Sequence, residues 1–191
     1  AGNVLAEHMC RARGHNLPAL VVADERTWAV AGKAVDAGLR SAGVVACDPL
    51  VFPAEPCLYA SLDNAHTIAD RLRTLDAETG SAVVPIAVGS GTINDLTKLA
   101  AKDVGRRYAV VVTAASMDGY TGAGAPISDN GVKVTMQCVA PQVVIFDLDI
   151  TAAAPQVMTA SGYGDLAAKI PGGADWIIAD AAGIEPLDQH V

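Results

Sequence analysis

Short apolar runs alternate with stretches of helical periodicity along most of this chain, and that alternation restricts the fold more than any other feature. A strand followed by an amphipathic helix, repeated, builds a mostly parallel sheet covered by helices on both faces. Ala19 to Ala23 reads as a buried strand ending at Asp24. The segment from Thr27 to Ser41 carries Val30, Ala31, Ala34, Val35 and Leu39 at helical spacing, and Gly43 stops it. A second strand is expected over Val44 to Val51, interrupted by Pro49. From Ser61 to Leu75, Leu62, Ala65, Ile68, Ala69, Leu72 and Leu75 form one helical face. Val83 to Val88, Thr92 to Ala101 and Tyr108 to Thr113 continue as strand, helix and strand.

Beyond this point the pattern loosens. Ala114 to Gly131 is rich in Gly, Ala, Ser, Thr and Asp and reads as a long loop, a length that points to function in a compact domain. Val132 to Cys138 and Gln142 to Asp147 are further strands, and Asp147 and Asp149 read as strand-end turn carboxylates. After Pro155 the apolar residues take helical spacing, so the division is an α/β domain over 1–154 and the first helices of a second domain over 155–191. Pro171-Gly172-Gly173 is expected to interrupt the helix there.

The chain has 191 residues, enough to bury a real core. With 51% hydrophobic and 18% charged residues it is not a disordered chain, and with 4% aromatics its core must be aliphatic. A net charge of -8 argues against nucleic acid or an anionic membrane as partner, because phosphate-backbone binding needs a basic surface. A single phosphorylated small molecule remains compatible, since a local nest of amides can hold it. Cys10, Cys47, Cys57 and Cys138 show no C-x-x-C spacing, which reads as reduced thiols. No apolar run reaches the roughly 20 residues of a membrane span, and the expected location is cytoplasmic.

The chemistry concentrates at two glycine-bearing turns. At Gly89-Ser90-Gly91 an apolar strand opens directly into a helix, where unpaired amides and the positive end of the helix dipole favour an anion. The pattern is not the usual dinucleotide fingerprint, whose third glycine position is Asn94, and no Gly-Lys-Ser/Thr closes a P-loop. A tight βα connection is the plain alternative. Asp24, this turn and the Thr113 to Asp118 segment all fall at strand ends, where ligands of parallel sheets bind. The second turn, Ser161-Gly-Tyr-Gly-Asp165, presents a carboxylate either as a helix N-terminal residue facing water or as a metal ligand. Asp95 and Lys98, one turn apart, are expected to form a local pair or cap.

Four motifs in order carry a family resemblance: Val-Gly-Ser-Gly-Thr-Ile-Asn-Asp-Leu-Thr-Lys at 88–98, Thr-Ala-Ala-Ser-Met-Asp-Gly at 113–119, Gly-Val-Lys-Val-Thr at 131–135, and Gly-Asp-Leu-Ala-Ala-Lys with Ala-Asp-Trp at 164–176. Together they resemble the sn-glycerol-1-phosphate dehydrogenases, within the metal-dependent group that includes glycerol dehydrogenase, iron-containing alcohol dehydrogenases and dehydroquinate synthase. The resemblance covers residues 19 to 191, most strongly 83 to 176.

It implies a Rossmann-like, mostly parallel α/β sheet with flanking helices, followed by the start of an all-helical metal-binding domain. It implies NAD(P) and a divalent metal (zinc, nickel or iron) as cofactors, and a small phosphorylated polyol as substrate. The reaction implied is interconversion of dihydroxyacetone phosphate and sn-glycerol 1-phosphate, by a homo-oligomer.

Residue by residue, Gly89, Ser90 and Gly91 match the turn that holds the pyrophosphate, and Asp24 the residue near the adenosine ribose. Thr113 and Ser116 match the segment beside the diphosphate and nicotinamide ribose. Asp118 matches a carboxylate near the substrate, with a loop-capping aspartate as its alternative. Lys133 lies in a segment bordering cofactor or substrate, and Asp165 matches the metal-binding aspartate. The family completes its metal site with two histidines from the helical domain. His8, His15, His66 and His190 form no H-x-x-x-H pair and read as surface or helix residues. One aspartate cannot hold a catalytic metal that ordinarily has three protein ligands. The chain is therefore read as a fragment, inactive alone. A dehydroquinate-synthase-like cyclase and a noncatalytic nucleotide-binding module are the alternative functions.

Overall fold

The computed structural model describes residues 17–188; Cys10, His8, His15 and His190 lie outside them. Strand β1 (Ala19–Asp24) has its first five residues buried, as a central parallel strand covered on both faces requires. Asp24 then caps a single helical turn, Glu25–Thr27, with its side chain accepting from Thr27 N–H and the Thr27 hydroxyl meeting Asp24 N–H in a reciprocal capping box. The helix continues through a π turn, Trp28–Gly32, into α1 (Lys33–Ser41). Strand β2 (Leu50–Phe52) and helix α2 (Leu62–Thr79) follow, α2 capped by the Ser61 side chain. Next come β3 (Val84–Gly89), α3 (Gly91–Asp103) and β4 (Ala109–Val112).

A one-turn 3-10 helix at Gly119–Thr121 leads to β5 (Gly124–Asp129) and β6 (Val132–Gln137), and β7 (Val143–Phe146) returns to the main sheet. The chain then runs into α4 (Leu148–Ala152), α5 (Gln156–Ala167) and α6 (Lys169–Ala181). The main sheet has the order β2-β1-β3-β4-β7 with every pair parallel. Strand order reverses between β1 and β3, which makes that boundary the topological switch point.

Alternation along each strand divides the core in two. Leu20, Val22, Ala87, Val110 and Val112 pack with Ile68 and Leu72 of α2 and Ile93 and Leu96 of α3 on one face. Val21, Ile86, Val88 and Val111 pack with Val35 and Leu39 of α1 on the other. The aliphatic core expected from composition is the observed one, with burial of each such side chain worth about 1.5–3 kcal/mol before the entropy cost is counted.

Four sequence expectations change. The strand expected over Val44 to Val51 is reduced to β2, with Ala46 meeting Ala19 in an isolated bridge; Pro49 has no N–H to offer a ladder. Val30 and Ala34 do not join the core, since the helix turns its Ala31, Val35 and Leu39 side inward and leaves Val30 58% exposed. The long loop contains β5, which pairs antiparallel with β6 through a two-residue Asn130-Gly131 turn at φ 48° and 80°. Left-handed Asn-Gly turns match the twist of a hairpin, so these two strands form a separate sheet. Finally, Pro171 does not interrupt α6. It occupies the third position of the helix, where an N–H would have no intrahelical partner, and the discontinuity falls ahead of it, at Ala168.

Helices α5 and α6 contribute no fully buried residue, and Tyr163, Ile170, Ile177 and Ile178 are exposed. Among the described residues no helix is long and apolar enough to cross a membrane.

Candidate functional site

A cleft of about 700 Å³ opens at the carboxyl ends of β1, β3 and β4, over the switch point. Asp24, Ser90 and Thr113, each at the end of a strand, line one side. Ile150, Ala153, Ala154, Pro155 and Met158, from α4, the α4–α5 connection and the start of α5, line the other. Pro53, Cys57 and Leu58 border it beyond β2. This size and apolar lining with a few convergent polar groups suit an organic ligand with a nucleotide-sized body.

The turn at 89–91 owes its glycines to close packing. Neither residue has a positive φ. A Cβ on Gly89 would lie 2.6 Å from Ile93 Cβ, and one on Gly91 would lie 3.1 Å from Met117 Sδ. Ser90 is the N-cap of α3, yet its side chain makes no capping bond, so it leaves the first amides of a 13-residue helix without side-chain satisfaction at the cleft wall. Unpaired first-turn amides and the positive end of a helix dipole favour an anion at such a position. Thr113 is buried and donates its N–H to Gly89 O at 3.1 Å, which fixes the end of β4 against the turn. Asp24 Oδ1 accepts from Thr27 N–H at 2.8 Å, which leaves its second oxygen for a ligand hydroxyl. Arg26, also on the cleft wall, is held by Glu55 at 2.6 Å.

Ser116, Asp118 and Asp165 are not part of the cleft wall; Asp118 and Asp165 meet each other, and Ser116 meets Tyr120. Ser116 Oγ lies 3.2 Å from the buried Tyr120 hydroxyl, which donates to Ala114 O at 2.6 Å. Burial raises the Tyr120 pKa against the opposing hydrogen bond from Ser116. Asp118 N–H donates to Asp165 Oδ2 at 3.0 Å, bringing together two residues 47 apart in sequence. Asp118 Oδ2 pairs with Lys169 Nζ at 2.9 Å. That hydrogen bond is the main reason the Asp118 carboxyl stays below the ordinary carboxylate range, and it raises Lys169 correspondingly.

Asp165 is not at a helix N-terminus, as the sequence suggested: it lies in the last turn of α5, where the helix dipole opposes a carboxylate. Gly162 makes the approach possible, since a Cβ there would overlap the Ala115 carbonyl oxygen.

Lys133 stands on the exposed strand β6, paired in register with Ser128 and outside the cleft wall. Asp147, read as a turn residue, caps α4 by accepting from Asp149 N–H and Ile150 N–H. Asp149 lines the cleft. Asp95 and Lys98 do form a local pair, at 3.6 Å, but a buried one. Sequence reasoning missed Lys169 as the partner of Asp118 and the α4–α5 connection as a cleft wall. Spacing four residues after Asp165 was the available signal for Lys169.

The donor set does not complete a metal centre. Among the described residues no group of three or more His, Cys, Asp or Glu is arranged to hold an ion. The described histidine, His66, is exposed on α2. The Lys169 ammonium pairs with Asp118 and lies 3.5 Å from the Asp165 main-chain carbonyl, so a positive charge already stands near these two carboxylates.

The iron-containing alcohol dehydrogenase profile matches residues 3–155. A protein of Bacillus velezensis named glycerol-1-phosphate dehydrogenase, NAD(P)+, is 37% identical over 170 residues, covering 89% of this chain and 42% of the relative. The Bacillus subtilis protein of the same name is 37% identical over 174 residues, covering 91% of this chain and 43% of its own length. The chain thus spans about two fifths of the length of the curated relatives it matches. The crystal structure of glycerol dehydrogenase from Schizosaccharomyces pombe superposes with a TM-score of 0.64 over 85% of this chain and 40% of that one, at 20% identity, which speaks for the fold alone.

Proposed function

The chain belongs to the iron-containing alcohol dehydrogenase family, and on that premise we propose that it is the dinucleotide-binding part of an NAD(P)-dependent polyol-phosphate oxidoreductase. The reaction proposed is interconversion of dihydroxyacetone phosphate and sn-glycerol 1-phosphate, and it is supported by relatives 37% identical to this chain that are named glycerol-1-phosphate dehydrogenase. The observation that carries the reading is the uncapped N-terminus of α3 opening onto a 700 Å³ cleft at the switch point. Ser90 and the amides after it would hold the pyrophosphate, and Thr113 would border it. Asp24 would accept from the adenosine ribose, and its negative charge favours a free 2'-hydroxyl over a 2'-phosphate. When bound, the dinucleotide supplies the hydride that converts the ketone to the secondary alcohol. Asp118, held ionised by Lys169, would orient a substrate hydroxyl.

The domain division belongs to the same proposal: 1–154 binds the dinucleotide, and 155–191 begins a helical domain in which Asp165 would serve as one metal donor among others supplied elsewhere. With one such donor in place, this chain by itself would bind cofactor and catalyse negligibly. Calorimetric titration with NADH tests the reading. We expect saturable binding, tighter for NADH than for NADPH. No heat from either up to about 1 mM, a weak-binding limit near 4 kcal/mol, would remove the foundation of the proposal.

A further inference from the structure

Lys98 lies two turns into α3 from the Ser90 elbow, and its side chain is wholly buried. A buried ammonium is tolerated only when it is paired and hydrogen-bonded. Here three acceptors surround its three donors: Gly124 O at 2.8 Å, Gly119 O at 3.4 Å and Asp95 Oδ1 at 3.6 Å. Asp95 is itself fixed by Asn94 Nδ2 at 3.1 Å, and Asn94 Oδ1 accepts from Tyr108 OH at 2.9 Å. The lysine ammonium therefore joins the buried Asp95–Asn94–Tyr108 chain of contacts to the carbonyls that open the 3-10 turn and β5.

Those carbonyls bracket the 3-10 turn Gly119–Thr121, and Gly119 directly follows Asp118. Residues 114–118, which carry Ser116 and Asp118, form no helix or strand of their own. Their start is tied by Thr113 N–H to Gly89 O and by the Tyr120 hydroxyl to Ala114 O. Their far end is tied at Asp118 to Asp165 and Lys169, both exposed contacts, and from within the core at Gly119 by Lys98. One helix thus presents its N-terminal amides to the cleft and, from a residue whose backbone lies about 10 Å further along its axis, an ammonium to the base of this segment.

We propose that Lys98 is a positioning residue: its buried ammonium ties the carbonyls of Gly119 and Gly124 to α3 and so sets the Ser116–Asp118 segment at a fixed distance from the anion-binding end of the same helix. The functional meaning of that distance rests on the dinucleotide reading above. The tether itself does not.

Amide hydrogen exchange on the chain and on Lys98→Met tests it, with NADH titration alongside. In Lys98→Met the amides of 114–124 should exchange about tenfold faster or more, while those of β1, β3 and β4 and the NADH affinity change by less than about threefold. Uniform acceleration across the sheet would mark Lys98 as a general stabiliser and overturn the proposal, as would unchanged exchange over 114–124. Lys98→Gln, which keeps a neutral donor, serves if Lys98→Met does not fold. It should show the same local acceleration at smaller amplitude, and unchanged protection would again overturn the proposal. If the unaltered chain fails to bind NADH, the dinucleotide reading falls, and the exchange result still decides the role of Lys98.

Discussion

Ser90 stands at the N-cap of α3 and leaves its own helix without a side-chain cap. Serine is a good N-cap, yet here its hydroxyl does not bond the first-turn amides, which stay available at the cleft. Ser90→Asp should reverse the allocation. Its carboxylate can cap those amides and complement the dipole, so thermal denaturation should show stability unchanged or raised by about 0.5–1 kcal/mol. The same charge, standing where a pyrophosphate would lie, should weaken NADH binding by about tenfold or more, read by calorimetry. A variant that binds NADH as well as the parent would place the phosphates elsewhere. The strand-to-helix elbow was legible in Gly-Ser-Gly because it depends on local order, a strand ending where a helix begins. The packing reason for its glycines was not, because Ile93 and Met117 press on Gly89 and Gly91 only in the folded chain.

Elements meet the site through α5, whose two glycines two residues apart have different surroundings. Gly164 has open space where a Cβ would go, whereas Gly162 rests on the Ala115 carbonyl. Gly164→Ala should therefore raise stability by about 0.5–1 kcal/mol through helix propensity. Gly162→Ala should lower it by about 1–3 kcal/mol, because the overlap forces α5 away from the 115–118 segment and breaks the Asp118 N–H to Asp165 bond. Urea melts of the two variants check this, and equal behaviour would mean that α5 is not docked there. The scarcity of strand signals after Pro155 announced α5 and α6, but the docking face was hidden, since neither helix has a fully buried residue to mark one. The hairpin was signalled by Asn130-Gly131, and the loop-like composition of 114–131 masked it.

At the scale of the whole molecule, distant segments are tied by a few polar contacts outside the apolar core. Arg106, just before β4, clasps Asp76 near the end of α2, and Val83 N–H donates to the same carboxylate at 3.0 Å. Burial alone would raise the Asp76 pKa, but Arg106 and Val83 together hold it below the ordinary value. A carboxyl depressed in the folded state stabilises fully above its unfolded pKa of about 4, and that contribution is lost as pH falls through the folded value. Asp76→Asn should therefore cost about 1–2 kcal/mol at pH 7, allowing for the partial exposure of both side chains, and the difference from the parent should vanish towards pH 2. Urea melts at the two pH values measure it, and a constant difference would refute the linkage. The sequence by itself determined the strand-helix alternation, the parallel sheet, the aliphatic core and the glycine elbow, because each follows from periodicity or from chemistry within a few residues. Only the tertiary structure decided that Asp118 meets Asp165 and Lys169, that Lys98 is buried against the Gly119 and Gly124 carbonyls, and that the α4–α5 connection lines the cleft. These contacts join residues tens of positions apart, and their existence depends on how helices pack, which no local spacing encodes.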